Sequence, residues 1–166
     1  ASAFLPETLT AITTALGLTS GDYRRLVANS ILLSSDNGHA RHPNHPELAA
    51  ANEAPVLNGG VVVKHSPRYA TDAVSAAAFQ EICRRAQVST QHYANRPDPA
   101  GGAPRGSIAN TKLPVHTLDI GIAQLAMHSC YETAGAEDTL SLIKLMQELY
   151  SSHFEETAFG TLSISK

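Results

Sequence analysis

The sequence predicts an α/β fold with a largely parallel sheet. Three observations lead there. Short aliphatic runs, Ile31-Leu32-Leu33 and Val61-Val62-Val63, read as buried strands. Segments whose apolar residues recur three and four apart read as helices. The two kinds alternate along 166 residues with no internal repeat and no linker, a length that suits one domain.

From Phe4 to Leu16 the residues Phe4, Leu5, Leu9, Ile12 and Leu16 keep helical spacing, and Gly17 is a natural stop. Thr19 or Ser20 then caps a second helix, Gly21 to Asn29. A strand from Ile31 to Ser35 leads into a long loop, 36–60, rich in His, Pro, Asn and Ala. The strand Val61–Val63 ends in Lys64. A turn through Pro67 follows, then a helix from Thr71 or Asp72 to about Ala86. Ser89–Tyr93 is a further strand, Arg96–Gly106 a loop with three Pro and three Gly, and Val115–Ile120 another strand. Thr139–Ser151 is a helix with a Leu142, Leu145, Met146, Leu149 stripe. The tail from Thr157 alternates only weakly, at Leu162 and Ile164.

Composition narrows the function. A formal net charge of -3 without a Lys/Arg cluster argues against nucleic acid or an anionic membrane as the main partner. No apolar run approaches a membrane span, and no signal peptide is visible. Cys83 and Cys130 make no CxxC and fit reduced, structural thiols in a cytoplasmic protein.

The chemistry-bearing residues sit where strands end, which in α/β folds is where ligands bind. Asp36 closes the first strand and opens a loop carrying His39, His42 and His45. Carboxylate and imidazole together suit zinc. Asp36 equally suits an Asx-turn, since Asp-Asn-Gly favours one, and the three histidines equally read as plain loop residues. Gly38, Pro43 and Pro46 exclude a helical HExxH arrangement. His128 sits in an apolar context, as a ligand or as a satisfied core residue. Lys64 brings a cation to the sheet edge of Asp36, for an anionic group or as a strand-end lysine that snorkels. Tyr69 could donate its O–H to the same anion or simply pack. The Pro99–Gly106 loop is no P-loop, and there is no Gly-x-Ser-x-Gly elbow.

Three ordered motifs resemble the aspartyl aminopeptidase family of zinc metallopeptidases. They are Ser35-Asp36-Asn37-Gly38-His39-Ala40 with His42-Pro43-Asn44; Val63-Lys64 with Arg68-Tyr69-Ala70-Thr71; and Leu118-Asp119-Ile120-Gly121 running through Ala126-Met127-His128-Ser129. The resemblance runs from about residue 4 to 153. It implies a three-layer α/β/α sandwich and two zinc ions, with Asp36 as the carboxylate ligand of one and His128 as the late imidazole ligand of the other. It implies that His39, Lys64 and Tyr69 hold the substrate, a peptide with an N-terminal Asp or Glu. It also implies large homo-oligomers.

Two departures from the family pattern stand out. A further ligand histidine, a bridging aspartate and a Glu-Glu pair, one Glu being the general base, would lie upstream of residue 1. The family's Gly-Ser-Thr-Ile-Gly-like stretch is replaced by Gly102-Ala103-Pro104-Arg105-Gly106. The expectation is therefore an incomplete catalytic domain. Residues 1–156 form its C-terminal portion and 157–166 a tail. Its activity then depends on the upstream half or on a partner chain. The alternative is a catalytically inactive fragment, or a non-enzymatic binding or assembly module on the same scaffold.

Overall fold

A computed structural model describes residues 3–50, 53–65, 69–94, 105–158 and 160–166, the side chains of 105–107 excepted. Two helices open the chain, α1 (Phe4–Ala15) and α2 (Ser20–Ala28). Gly17, at φ 72°, ends the first in the left-handed region that glycine adopts without strain. The second begins with a capping box. Thr19 Oγ1 accepts from the Asp22 N–H, and the Asp22 carboxylate accepts from the Thr19 N–H at 2.8 Å. The apolar stripe of α1 is helical as expected but faces outward. Phe4, Ile12 and Leu16 are 74, 50 and 69% exposed, and only Leu9 joins the small cluster of Val27, Leu113 and Val115.

The central sheet has the order β1-β5-β3-β4, from β1 (Ile31–Ser35), β3 (Val61–His65), β4 (Thr90–Ala94) and β5 (His116–Gly121). It is largely parallel, as expected, but one central pairing is antiparallel and makes the sheet mixed. β1 runs parallel to β5 and β3 parallel to β4, but β3 and β5 are antiparallel. Buried strands look alike in either direction, because both faces are covered and the apolar run carries no polarity signal. Val61, Val63, Leu118 and Ile120 form one face of the sheet. They pack against Phe79 and Ile82 of α3 (Ala73–Ala86) and Leu145 and Leu149 of α5 (Ala136–Tyr150). Leu32 points the other way, into the cluster under α2, so helices lie on both faces of a mixed α/β domain.

The expected loop 36–60 contains a short strand, β2 (Gly38–His39), and a 3-10 turn at Pro46–Leu48. β2 pairs with β6 (Ala123–Leu125), which pairs with β7 (Thr133–Ala134) in a second sheet. These pieces are two or three residues long, too short to leave a periodic signal. Residues 95–104, most of the expected Arg96–Gly106 loop, lie outside the described residues; a helix, α4 (Arg105–Asn110), follows. The expected tail is half of a hairpin, β8 (His153–Ala158) and β9 (Thr161–Ser165), with Phe154, Leu162 and Ile164 on the main core.

Candidate active site

The face of the sheet opposite the main core carries the polar chemistry. Side chains alternate along a strand, so Val62 and Lys64 point away from Val61 and Val63. Lys64 pairs with Tyr93 on β4, and Ser34 pairs with Asp119 on β5. The β3–β5 register, Val62 with Gly121 and Val63 with Ile120, steps on to Lys64 beside Asp119. A row Ser34, Asp119, Lys64, Tyr93 thus crosses the four strands.

Lys64 reaches Asp36 differently from the sequence reading. The expectation was a cation carried to the same sheet edge as Asp36. Because β3 is antiparallel to β5, the ends of β1 and β3 point to opposite edges. The side chain itself closes the gap, running over the sheet until Nζ donates to the Asn37 carbonyl at 3.0 Å. Gly121 permits the approach of this segment, since a Cβ there would stand 2.0 Å from the Asp36 carbonyl oxygen.

Lys64 is 4% exposed. Burial holds its ammonium below the usual lysine range, while the Asp36 and Asp119 carboxylates oppose that shift. The Tyr69 ring lies with its centroid 5.7 Å from Nζ. Tyr93 is held protonated above its ordinary range by burial and then by Tyr69. Asp119, a residue without an assigned role in the sequence reading, also positions the chain next to Tyr69. Its Oδ2 accepts from the Ala70 N–H at 2.9 Å, and its own N–H donates to Thr71 Oγ1 at 3.2 Å. A carboxylate at an inward position of an apolar strand was the available signal. Asn37 was missed too. It accepts from Lys64 through its carbonyl and donates through Nδ2 to Gln124 at 2.7 Å.

The β3 strand is anchored at its start by a different carboxylate. Asp138, fully buried in the first turn of α5, accepts from the Asn58 N–H at 2.7 Å and the Gly60 N–H at 2.8 Å.

Asp36, His39 and His128 are exposed. His39 lines a cavity of about 220 Å³ together with Ala40, His42, His45, Gln124 and Ala126. His42 and His45 have local partners, the Asn44 N–H at 3.2 Å and the Glu47 carboxylate at 3.1 Å. His128 lies in a turn after β6, so the core-residue alternative fails. Ala126 and His128 both have positive φ, 53° and 68°, and the His128 N–H donates to Glu132 Oε1 at 2.6 Å. Left-handed backbone at non-glycine residues is strained and concentrates at functional sites. The structure therefore brings together Lys64, Tyr69, Asp119 and the Asp36–Asn37 segment, and separately His39, His42 and His45. Among the described residues, no three His, Cys, Asp or Glu side chains gather into a metal-ligating group.

Three other features carry less chemistry. A larger cavity, about 420 Å³, lies between α3 and the hairpin, lined by Val74, Ala78, Leu162 and the ion-paired Glu81 and Arg85. Cys83 is buried, and desolvation pushes its thiol up to about 12, which makes it inert at neutral pH. Cys130 is exposed, unlike the buried thiol that a structural role would suggest.

Comparison with known proteins places this arrangement. Residues 1–150 match the family model described as aminopeptidase I zinc metalloprotease (M18). A relative from Pseudomonas savastanoi pv. phaseolicola, "Probable M18 family aminopeptidase 2", is 40% identical over 136 residues, 81% of this chain and 32% of the relative. One from Stutzerimonas stutzeri with the same name is 39% identical over 133 residues, covering 79% of this chain and 31% of the relative. The chain thus spans about a third of the length of the curated relatives it matches. Among solved structures, the Ape4 and Nbr1 complex matches with a TM-score of 0.83 at 29% identity, over 90% of this chain and 29% of that one. The mApe1 dodecamer of S. cerevisiae matches with a TM-score of 0.67 at 32% identity, over 75% of this chain and 27% of that one. The M18 aminopeptidase of Thermotoga maritima shares the fold, with a TM-score of 0.79 at 20% identity, over 89% of this chain and 35% of that one. The chain belongs to the M18 family, the aminopeptidase I zinc metalloproteases.

Proposed function

We propose that this chain is the C-terminal, substrate-gripping portion of a zinc aminopeptidase that removes N-terminal Asp or Glu from peptides. The observation that carries the reading is Lys64. A buried ammonium beside Asp36, with Tyr69 above it, is a grip for a carboxylate. The donors for metal have the right chemistry, an exposed carboxylate at Asp36 and an exposed imidazole at His128 on a strained turn. Their number falls short of a four-ligand shell. The remaining ligands and the general-base Glu then come from residues outside this sequence, upstream in the same protein or on a partner chain.

In that assembly Asp36 and His128 each hold one of two zinc ions, which when bound acidify a coordinated water and polarise the scissile carbonyl. Lys64 pairs with the acidic side chain of the substrate, and the Tyr69 hydroxyl adds a hydrogen bond. His39 contacts the substrate from the neighbouring cavity. Asp119 holds the 69–71 segment in place for this grip. The dodecameric relative supports a homo-oligomer as the working form. Among the described residues no helix is long and apolar enough to cross a membrane, in keeping with the proposed cytoplasmic location.

The test is reconstitution. The chain joined to, or mixed with, the upstream portion of an M18 relative should bind zinc and cleave an Asp-peptide faster than an Ala-peptide. The chain alone should cleave neither peptide efficiently. Zinc binding and cleavage with no preference for the acidic peptide would refute the specificity. Failure to assemble into any active peptidase would favour a non-enzymatic module on the same scaffold.

A further inference from the structure

A second pair of side chains has metal-ligand geometry on the opposite face of the sheet. His65 follows Lys64 and so projects with Val61 and Val63. His92 pairs in register with Val63 and projects the same way. The parallel pairing of β3 and β4, from Val61 with Thr90 to His65 with Ala94, fixes the two backbones against each other. The His65 Nε2 and His92 Nδ1 atoms face one another at 3.0 Å, the rings 28° from parallel and 5.2 Å between centroids.

We propose that His65 and His92 form a two-imidazole site for a borderline divalent transition metal, zinc being the probe of choice, separate from Asp36 and His128. A tetrahedral zinc with Zn–N bonds of 2.0–2.1 Å holds neighbouring nitrogens about 3.3 Å apart, so a few tenths of an ångström of opening admits the ion. Imidazole must be neutral to ligate. Burial, and then the neighbouring His92, hold the His65 ring below its ordinary range, so the ligating form prevails at neutral pH. Glu53 opposes that shift. His92 is exposed, leaving an open path and room for water to complete the shell. With two protein nitrogens the site binds more weakly than a structural zinc site with four ligands. Binding replaces the imidazole–imidazole hydrogen bond; the ring that donates in it shifts its proton to its other nitrogen, so both facing nitrogens offer lone pairs and no net proton is released.

The experiment titrates zinc into the chain carrying Asp36→Ala and His128→Ala, by calorimetry at pH 7.5, with circular dichroism to verify folding. One zinc per chain is expected. Adding His92→Gln should weaken it at least tenfold, and His65→Gln likewise, while His42→Gln and His45→Gln leave it unchanged. His92 is exposed, so its substitution tests the site even if His65→Gln unfolds the chain. Protons compete with the metal for the same nitrogen lone pairs, so binding should weaken as the pH is lowered. No zinc binding, or binding that survives both His65→Gln and His92→Gln, overturns the proposal.

Discussion

The surroundings of Lys64 and those of Asp36 and His128 are built to different degrees. Lys64 is 4% exposed, and its partners come from β5, the 36–38 segment and Tyr69, all within this chain. Asp36, His39 and His128 stand at the surface. A buried ammonium is costly unless surrounded by compensating charge and hydrogen bonds, so the fold must complete that half by itself. An exposed carboxylate or imidazole carries no such cost and can wait for a metal and further ligands. Under the proposed function, this contrast assigns recognition of the acidic side chain to the buried half of this chain and leaves metal binding to exposed residues that await further ligands.

The largest expected effect is at the exposed residues proposed as metal ligands. In the assembled peptidase Asp36→Ala or His128→Ala should cut turnover beyond the roughly hundredfold that even outer-shell partners of a metal are worth. The same substitutions should move the melting temperature of this chain by no more than about 2 °C, because exposed sites rarely change stability by more than about 0.5 kcal/mol. A drop well beyond that would put these residues in the folded frame and erase the contrast.

On the built side the carboxylate that anchors β3 should matter most to the fold. Asp138→Ala strips the buried Gly60 N–H and the part-buried Asn58 N–H of their acceptor and should cost roughly 3 kcal/mol in denaturant unfolding. A loss below about 1 kcal/mol would mean the 57–60 turn holds without it.

Selectivity comes next. Lys64→Met in the assembled enzyme should lower Asp-peptide turnover ten- to a hundredfold relative to Ala-peptide turnover, the roughly 1.5–3 kcal/mol of a charge-assisted hydrogen bond. Equal losses on both peptides would assign Lys64 to the frame rather than to the substrate.

The smallest expected effect is a pH dependence. The ammonium of Lys64 is depressed below 10.5 in the folded chain, mainly by burial. Between its folded value and 10.5 the unfolded chain binds more protons, so this group makes stability rise with pH across that window. Lys64→Met should flatten that rise in urea midpoints taken at increasing alkaline pH. An unchanged slope would show that the ammonium is not desolvated.

Much of this was legible from residues alone because the signals are local. Helix periods, the Thr19 and Asp72 caps, the Val61–Val63 run and the order of the three motifs all lie within short windows. Position 36 as a strand-end carboxylate and position 64 as a cation with a substrate-like environment could be singled out the same way. The sequence by itself therefore determined the α/β class and the family, and singled out Asp36, His39, Lys64, Tyr69 and His128 as candidates while leaving Asp119 and Asn37 without a role. Tertiary structure decided the antiparallel step between β3 and β5, which no apolar run encodes. It thereby decided that Lys64 meets Asn37 across a sheet face rather than at a strand end. It also decided the pairing of Lys64 with Asp119 and of His65 with His92, since partners 55 and 27 residues apart meet only when strands find their register. Direction and register are properties of hydrogen-bonded neighbours, and a single strand's sequence does not contain its neighbour.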